Sequence, residues 1–445
     1  MPPHRLVLLA IACLPAVAAA QAEEPGPSIA LHAQATWTRQ YKPAFDAPYS
    51  GPNSLRTARE WSYSFTTTAD VGIGLWRGAQ VHLNPEAVQG HPLSSLTGAG
   101  GLGNGELQRG SSPSLRSYRA RMYFQQRVDV GGGDERIEPD FNEIGGTTTQ
   151  RRWTITAGTI SLLDFFDPNP YAKDPREQFA NWSFLTHGAW DYAADARGYT
   201  TGAMAEYKGT GWAVRGGRFM QPRVPNGLQL EHDLMRLHGD QLEVDADLPL
   251  RLAAGPLRGR VLVFRNRVDG GSFADALAAA GPGVPDLGTV RRVQTRRGWG
   301  LTLEAPLGDD AGVFLRMSRN DGNVEPYAFT SIDRQVAVGS QFSGKPWGRA
   351  QDRWGVGFAA NGLSGPHRAY LARGGQDFFL GDGALSYGTE RVLEAYYRWV
   401  FPEVALGPWK LQNAFSGGVQ HMANPGYNRD RGPVRTWMAR WHAEF

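Results

Sequence analysis

Between Ser161 and Gly198 the chain sets eight aromatic side chains among charged ones: Phe165, Phe166, Tyr171, Phe179, Trp182, Phe184, Trp190 and Tyr192. Asp164, Asp167, Arg176, Glu177, Asp191 and Arg197 lie in the same stretch. Flat aromatic faces stack on the apolar C–H faces of a pyranose ring. Ionised side chains hydrogen-bond pairs of hydroxyls, and charge-assisted bonds are the stronger kind. Together these types could recognise a sugar without transforming it. Exposed loops do not gather aromatics this densely, so the segment should pack against something. Asp174, Pro175 and Glu177 stand in the order of a helix cap, with proline at the first helical position. Arg119, Arg121 and Arg127 share one face of an alternating stretch and could face this segment. The candidate contacts for a solute are therefore Arg119, Arg121, Asp164, Asp167, Arg176, Glu177, Trp182, Trp190 and Arg197.

Other chemistry finds little support. Gly98-Ala99-Gly100-Gly101-Leu102-Gly103 fits a dinucleotide pattern, but no strand and helix frame it. Asp140-Phe141-Asn142-Glu143-Ile144-Gly145 begins like a calcium loop, yet Arg151 stands where the bidentate glutamate belongs. No serine sits in a nucleophile elbow, and His187, His232, His238 and His421 have no paired nucleophile. The only cysteine, Cys13, falls in the leader, so no thiolate metal site is available to the mature chain. No catalytic residue, metal or cofactor is expected. A net charge of +3 lacks the basic surplus of a nucleic-acid binder.

The elements that must position the candidate residues are strands. Trp437, Ala439, Trp441, Ala443 and Phe445 alternate with Met438, Arg440, His442 and Glu444. Strict alternation means a strand with one apolar and one polar face. An aromatic residue closing such a strand predicts a transmembrane β-barrel, apolar toward lipid and charged toward a wet lumen. Similar stretches run over 29–41, 61–76, 78–89, 116–130, 150–161, 198–208, 211–221 and 235–248. Others run over 256–267, 296–306, 311–320, 331–343, 352–361, 391–399, 409–422 and 433–445. That is sixteen, an even count that puts both ends of the barrel on the periplasmic side. Gaps between them alternate short and long, as periplasmic turns and outer loops do. The connection over 131–149 breaks that rhythm, being long where a short turn is due. By this count 161–198 is the third outer loop, and folding it inward would bury its aromatics and narrow the pore. Residues 1–20 read as a secretory signal with cleavage after Ala20, leaving 21–445 as the barrel.

Several stretches are similar to the carbohydrate-selective porin family usually called OprB. They are Phe378 to Gly383, Tyr387-Gly388, Arg391 to Tyr397, Asn424 to Pro433 and the closing His442-Ala443-Glu444-Phe445. Asn181-Trp182-Ser183-Phe184 and Asn361 to Gly365 resemble the family as well. The resemblance implies an all-β outer-membrane barrel of about 16 strands that lets mono- or oligosaccharides diffuse into the periplasm. The expected partners are small sugars, outer-membrane lipid and lipopolysaccharide, and assembly machinery that reads the terminal strand 435–445. A homotrimer is the expected form if the chain self-associates. A polysaccharide-export barrel, a general diffusion porin and an outer-membrane hydrolase are the competing readings.

Overall fold

The computed structural model describes residues 28–445 apart from 109–110, 253–254 and 408. The expected leader, 1–20, lies outside the described residues. Buried and exposed side chains alternate along the strands. In β2 (Glu60–Trp76) the side chains of Ser62, Ser64, Thr66, Thr68 and Asp70 are buried, those between them are half-buried, and Trp61 before and Ile73 beyond them are exposed. The same period runs through β1 (Ile29–Lys42), β3 (Ala79–His91), β4 (Arg116–Ile137), β5 (Gly146–Ile160) and β6 (Thr200–Gly209). It continues in β7 (Trp212–Met220), β8 (His238–Leu252), β9 (Gly255–Gly270), β10 (Arg292–Pro306) and β11 (Ala311–Asn320). The ring is completed by β12 (Arg334–Gly344), β13 (Arg349–Gly362), β14 (Glu390–Val400), β16 (Trp409–Ala423) and β17 (Val434–Glu444).

Each of these strands pairs antiparallel with its neighbours, and β1 pairs with both β2 and β17, setting Trp37 against Phe65 and Trp441. The sheet therefore closes into a sixteen-stranded barrel with no free edge. The short β15 (Val404–Leu406) pairs only with the start of β16 and stands beside the ring. All sixteen expected strands are present.

Polarity is inside out. Val261, Val263, Val336, Val338, Val356, Phe358, Leu393 and Phe415 are exposed on the outer wall. Inward-facing positions carry Gln241, Glu243, Arg316, Glu390, Glu394 and Arg440, all buried. Such a wall is stable only with hydrocarbon outside, where a charge would cost about 2–4 kcal/mol at mid-depth. Aromatics mark the two interfaces. Tyr41, Trp61 and Trp437 cluster at one end, and Trp399, Trp409, Phe415 and Phe445 at the other. Among the described residues no helix is long and apolar enough to cross a membrane.

Connections at one end are long (43–59, 92–115, 161–199, 221–237, 271–291, 321–333, 363–389 and 424–433), which makes it the outer end. Turns at the other are short, as at 77–78, 210–211 and 307–310. The stretch 131–149 is neither a missed hairpin nor a free excursion. Strands β4 and β5 simply run on, bulged at Gly131, and the connection 138–145 turns back into the lumen. Among the described residues three short α-helices lie in the outer loops: α1 (Trp182–Leu185), α2 (Phe273–Ala279) and α3 (Gly365–Ala372). Their caps are the side chains of Asn181, Ser272 and Ser364.

Candidate functional site

Most of the barrel's apolar core lies in the lumen, where infolded loops meet the wall, and the third outer loop supplies much of it. Phe166, Phe179, Phe184 and Trp190 are fully buried there. Lumen-facing charges hold the loop backbone. Glu394 of β14 accepts the Ala180 and Asn181 N–H groups at 2.7 and 2.9 Å. Arg316 of β11 donates to the carbonyls of Phe184 and Ala172 at 2.6 and 2.7 Å. Its Nε lies 2.8 Å from Asp167, which also accepts the hydroxyls of Thr186 and Thr302. Asp191 accepts the N–H groups of Tyr327 and Ala328 and pairs with Arg296. Buried ions survive only when paired and hydrogen-bonded, as Arg316 with Asp167 and Arg296 with Asp191 are, whereas Glu394 is held by backbone N–H groups.

The expected helix cap at Asp174 becomes a single turn. Asp174 Oδ1 accepts the Arg176 N–H and its carbonyl accepts Gln178. The helix forms instead at Trp182–Leu185, capped by Asn181, because Asn181 is pinned to Glu394 and Gln420.

The second outer loop folds in as well. Leu96, Ala99, Leu102 and Leu107 are buried, and backbone bonds join Leu102 to Trp182 and Gly105 to Ala180. At Gly101 a Cβ would come within 2.2 Å of the Ser183 hydroxyl, so glycine permits this close approach.

Between the second and third loops and the β2–β4 wall lies a cavity of about 160 Å³. One side is aromatic. The Trp182 ring stacks on Phe329 with centroids 5.2 Å apart and planes 10° from parallel, and Tyr192 adjoins Phe329 at 4.9 Å. The other side is charged. Arg176 donates to Glu106 at 3.0 Å and faces Glu86 at 3.4 Å. Glu86 also accepts the hydroxyls of Tyr118, Tyr199 and Thr68. Arg197 pairs with Asp195 and lies 4.7 Å above the Tyr118 ring. Burial opposes the charge on Arg176, but Glu106 and Glu86 outweigh it and keep the guanidinium firmly protonated. Burial pushes the Asp195 carboxyl up against the pull of Arg197. Donors and acceptors thus alternate beside a flat apolar face, and the charges nearly cancel, which suits a neutral polyol better than an ion.

Not every candidate residue reaches this place. Arg176, Trp182 and Arg197 line the cavity. Arg121 and Asp164 form a two-point pair at 2.7 and 2.8 Å just beside it, with Arg121 also 5.3 Å from the Tyr199 ring. Glu177 reaches a different wall, meeting Arg398 at 2.5 Å and His442 at 3.8 Å. Asp167 and Trp190 are struts with no exposed face. The Trp190 indole donates to Gln241 at 2.7 Å and the ring is 0% exposed.

Arg119 faces outward, contrary to expectation, beside the lipid-facing Met122. Its strand carries a bulge, for Asn84 pairs with Arg121 but Pro85 pairs with Arg119, so Ala120 is extra. A one-residue insertion reverses the facing of the side chains on one side of it relative to the other, here those before Ala120. Tyr118 therefore takes the lumen place that Arg119 was expected to hold. Glu86, Glu106, Tyr199 and Phe329 were not anticipated. The alternation of Leu83 and Pro85 with Asn84 and Glu86 in β3 was a readable sign of the first.

Toward the periplasm the same wall is capped by the 138–145 turn. The Asn142 N–H donates to Asp70 at 3.0 Å, the Ile144 N–H to Gln80 at 3.1 Å, and Tyr123 to the Asn142 carbonyl at 3.1 Å. Arg127 closes the set on Glu143. Elsewhere, Glu177, His442 and Glu444 bring three metal-ligating atoms within 4.8 Å of one another, although Arg398 already engages Glu177. Sequence spacing hid that group because one member comes from a loop and two from the closing strand.

A family model described as "Carbohydrate-selective porin, OprB family" matches residues 52–440. Among solved structures, the high-pH structure of Pseudomonas putida OprB superposes with a TM-score of 0.64 at 14% identity over 94% of each chain. Acinetobacter baumannii OccAB1 gives a TM-score of 0.47 at 10% identity, over 96% of this chain and 99% of its own. No curated protein sequence matches.

Proposed function

The chain belongs to the carbohydrate-selective porin family, OprB, and from that membership we propose how sugar crosses its barrel. The protein is an outer-membrane porin through which sugars diffuse passively, a channel rather than an enzyme by family and fold. In our reading the loop 161–198 is the constriction, and the solute passes the cavity between Trp182, Phe329, Arg176 and Arg197. The observation that carries this reading is the facing of a stacked indole by a nearly neutral set of donors and acceptors. A pyranose presents an apolar face and a rim of hydroxyls, so it satisfies both sides at once. Each contact is individually modest and shared with protein partners, so a bound solute can leave again, as conduction requires.

The Arg121–Asp164 pair forms the next step inward, and the 138–145 turn narrows the exit. Asp167, Trp190 and Glu177 act at one remove by holding the loop in place. A cavity of about 160 Å³ is small beside the roughly 300–1,000 Å³ of common ligand sites, which favours single sugar units over long chains. The proposal includes removal of residues 1–20 on export, recognition of strand 435–445 by assembly machinery, and a trimer if the chain self-associates. Liposome swelling tests it. Proteoliposomes should swell faster in glucose than in a trisaccharide of equal osmolarity, and Arg176→Gln with Arg197→Gln should reduce that difference. Equal swelling rates for both sugars in the unaltered protein would remove the constriction from this reading.

A further inference from the structure

The outer wall carries a feature that sugar passage does not use. On each of four adjacent strands, β9 to β12, an outward apolar side chain is followed by an outward arginine. Toward the outer end Val263 gives way to Arg265, Trp299 to Arg297, Met317 to Arg319 and Val336 to Arg334. All four arginines are exposed. Register sets them in two opposed pairs, for Arg265 lies directly opposite Arg297 and Arg319 directly opposite Arg334, while Trp299 is the residue opposite Arg319. Like charges directly opposite one another in a sheet are destabilising.

The acids nearby do not relieve this. Asp240 and Asp269 are engaged by Arg218 and Arg236, and Asp275 and Glu325 by Arg292 and Arg291. Asp321 accepts the backbone N–H of Arg297 at 3.1 Å. Arg334 lies across the glycine opposite it, where a Cβ on Gly362 would come within 2.6 Å of its Nε. The wall thus presents two opposed pairs of arginines on four adjacent strands, with a glycine beside the last.

At about 3.4 Å per residue, each arginine stands roughly 7 Å along its strand beyond the apolar side chain that precedes it, with only Val293 of β10 exposed farther out. That is the level at which hydrocarbon gives way to headgroups. Arginine's fork matches phosphate oxygens two at a time, and clustered basic side chains at this depth bind anionic headgroups. We propose that Arg265, Arg297, Arg319 and Arg334 form a binding site for the phosphates of lipid A in the outer leaflet. Its acyl chains then lie along Val263, Trp299, Met317 and Val336. This rests on the outer-membrane reading above. A second copy meeting this face across a two-fold is a poorer occupant, because it would set the same arginines against each other; a three-fold contact is separated by the oligomer arm of the test.

The test uses the full mature chain in detergent, with binding of bisphosphorylated and dephosphorylated lipid A read by native mass spectrometry. The expected result is tight binding of the phosphorylated form. Arg297→Gln, Arg319→Gln and Arg334→Gln together should weaken it roughly 100-fold, at about fivefold per arginine. The proposal is overturned if the triple variant binds lipid A as the parent does, or if dephosphorylated lipid A or phosphatidylglycerol binds equally well. It is also overturned if the parent is a lipid-independent oligomer that the variant dissociates. Single-channel conductance of both proteins is expected to be equal. A parent that forms no channel at all would refute the porin reading, and the lipid arm would still be judged on binding.

Discussion

Arg316→Met should release the third outer loop from the wall. Arg316 and Asp167 are both 1% exposed or less, and Nε lies 2.8 Å from Oδ2. Removing one partner of a buried pair costs about 3–5 kcal/mol, because the other charge is stranded. Two carbonyls, of Phe184 and Ala172, lose charged donors at the same time. Water can reach part of a porin lumen, so we count only the ion pair. Even so, 3–5 kcal/mol shifts the anchored-to-released equilibrium by about two to three and a half orders of magnitude at 1.4 kcal/mol per decade. Planar-bilayer recordings should show a several-fold rise in open conductance with added noise, and protease should cut within 161–198. Adding Asp167→Asn removes the stranded charge and should restore much of the closed behaviour. A single variant with parental conductance and protease resistance would refute the role given to this strut.

Trp182→Ala should weaken sugar block by about two- to tenfold, the worth of one aromatic face at roughly 0.5–1.5 kcal/mol, with a smaller change in open current. Unchanged block would remove that ring from the path. Glu143→Ala removes the carboxylate by which Arg127 fastens the periplasmic turn, and should raise conductance without changing sugar preference; no rise would show the exit to be wide already. His367 sits in the outer loop between Asp333 and Asp377, at 2.9 and 3.1 Å. Burial opposes its charge, but the two carboxylates win and lift it to about 9, while Asp333 is held at about 2. A raised histidine contributes stability that is full below about 6.5 and lost as pH climbs through 9, on the order of 3 kcal/mol. The depressed Asp333 contributes above about 4 and loses it as pH falls toward 2. Hydrogen-exchange protection across 363–389, with the intrinsic base-catalysed rate divided out, should therefore be greatest from about pH 4 to 6.5 and fall toward pH 10; a flat profile of protection would contradict this.

The barrel could be read from sequence because lipid outside and water inside force a period of two on every strand. Trp354, Val356 and Phe358 face outward against Gly355 and Gly357, and Leu393 and Trp399 against Glu394 and Arg398, as alternation required. It failed where the backbone broke period. The bulge at Ala120 leaves no compositional trace, and it moved Arg119 to the lipid side. Gly131, Gly132 and Gly133, all at positive φ, hid the continuation of β4 toward Ile137. The aromatic density of 161–198 announced burial. It could not separate Trp190, sealed against Gln241, from Trp182 at the cavity, because that depends on which wall each ring meets. The glycine-rich second loop gave no hint of infolding, since its fit comes from absent side chains at positions such as Gly101.

The most direct measurement is single-channel current through the mature protein in a planar bilayer as sugars are added. Reversible, saturable interruption by glucose- or maltose-sized solutes, relieved in Trp182→Ala, is the result expected of a sugar-selective constriction. Ion current that persists unchanged in every sugar would contradict it.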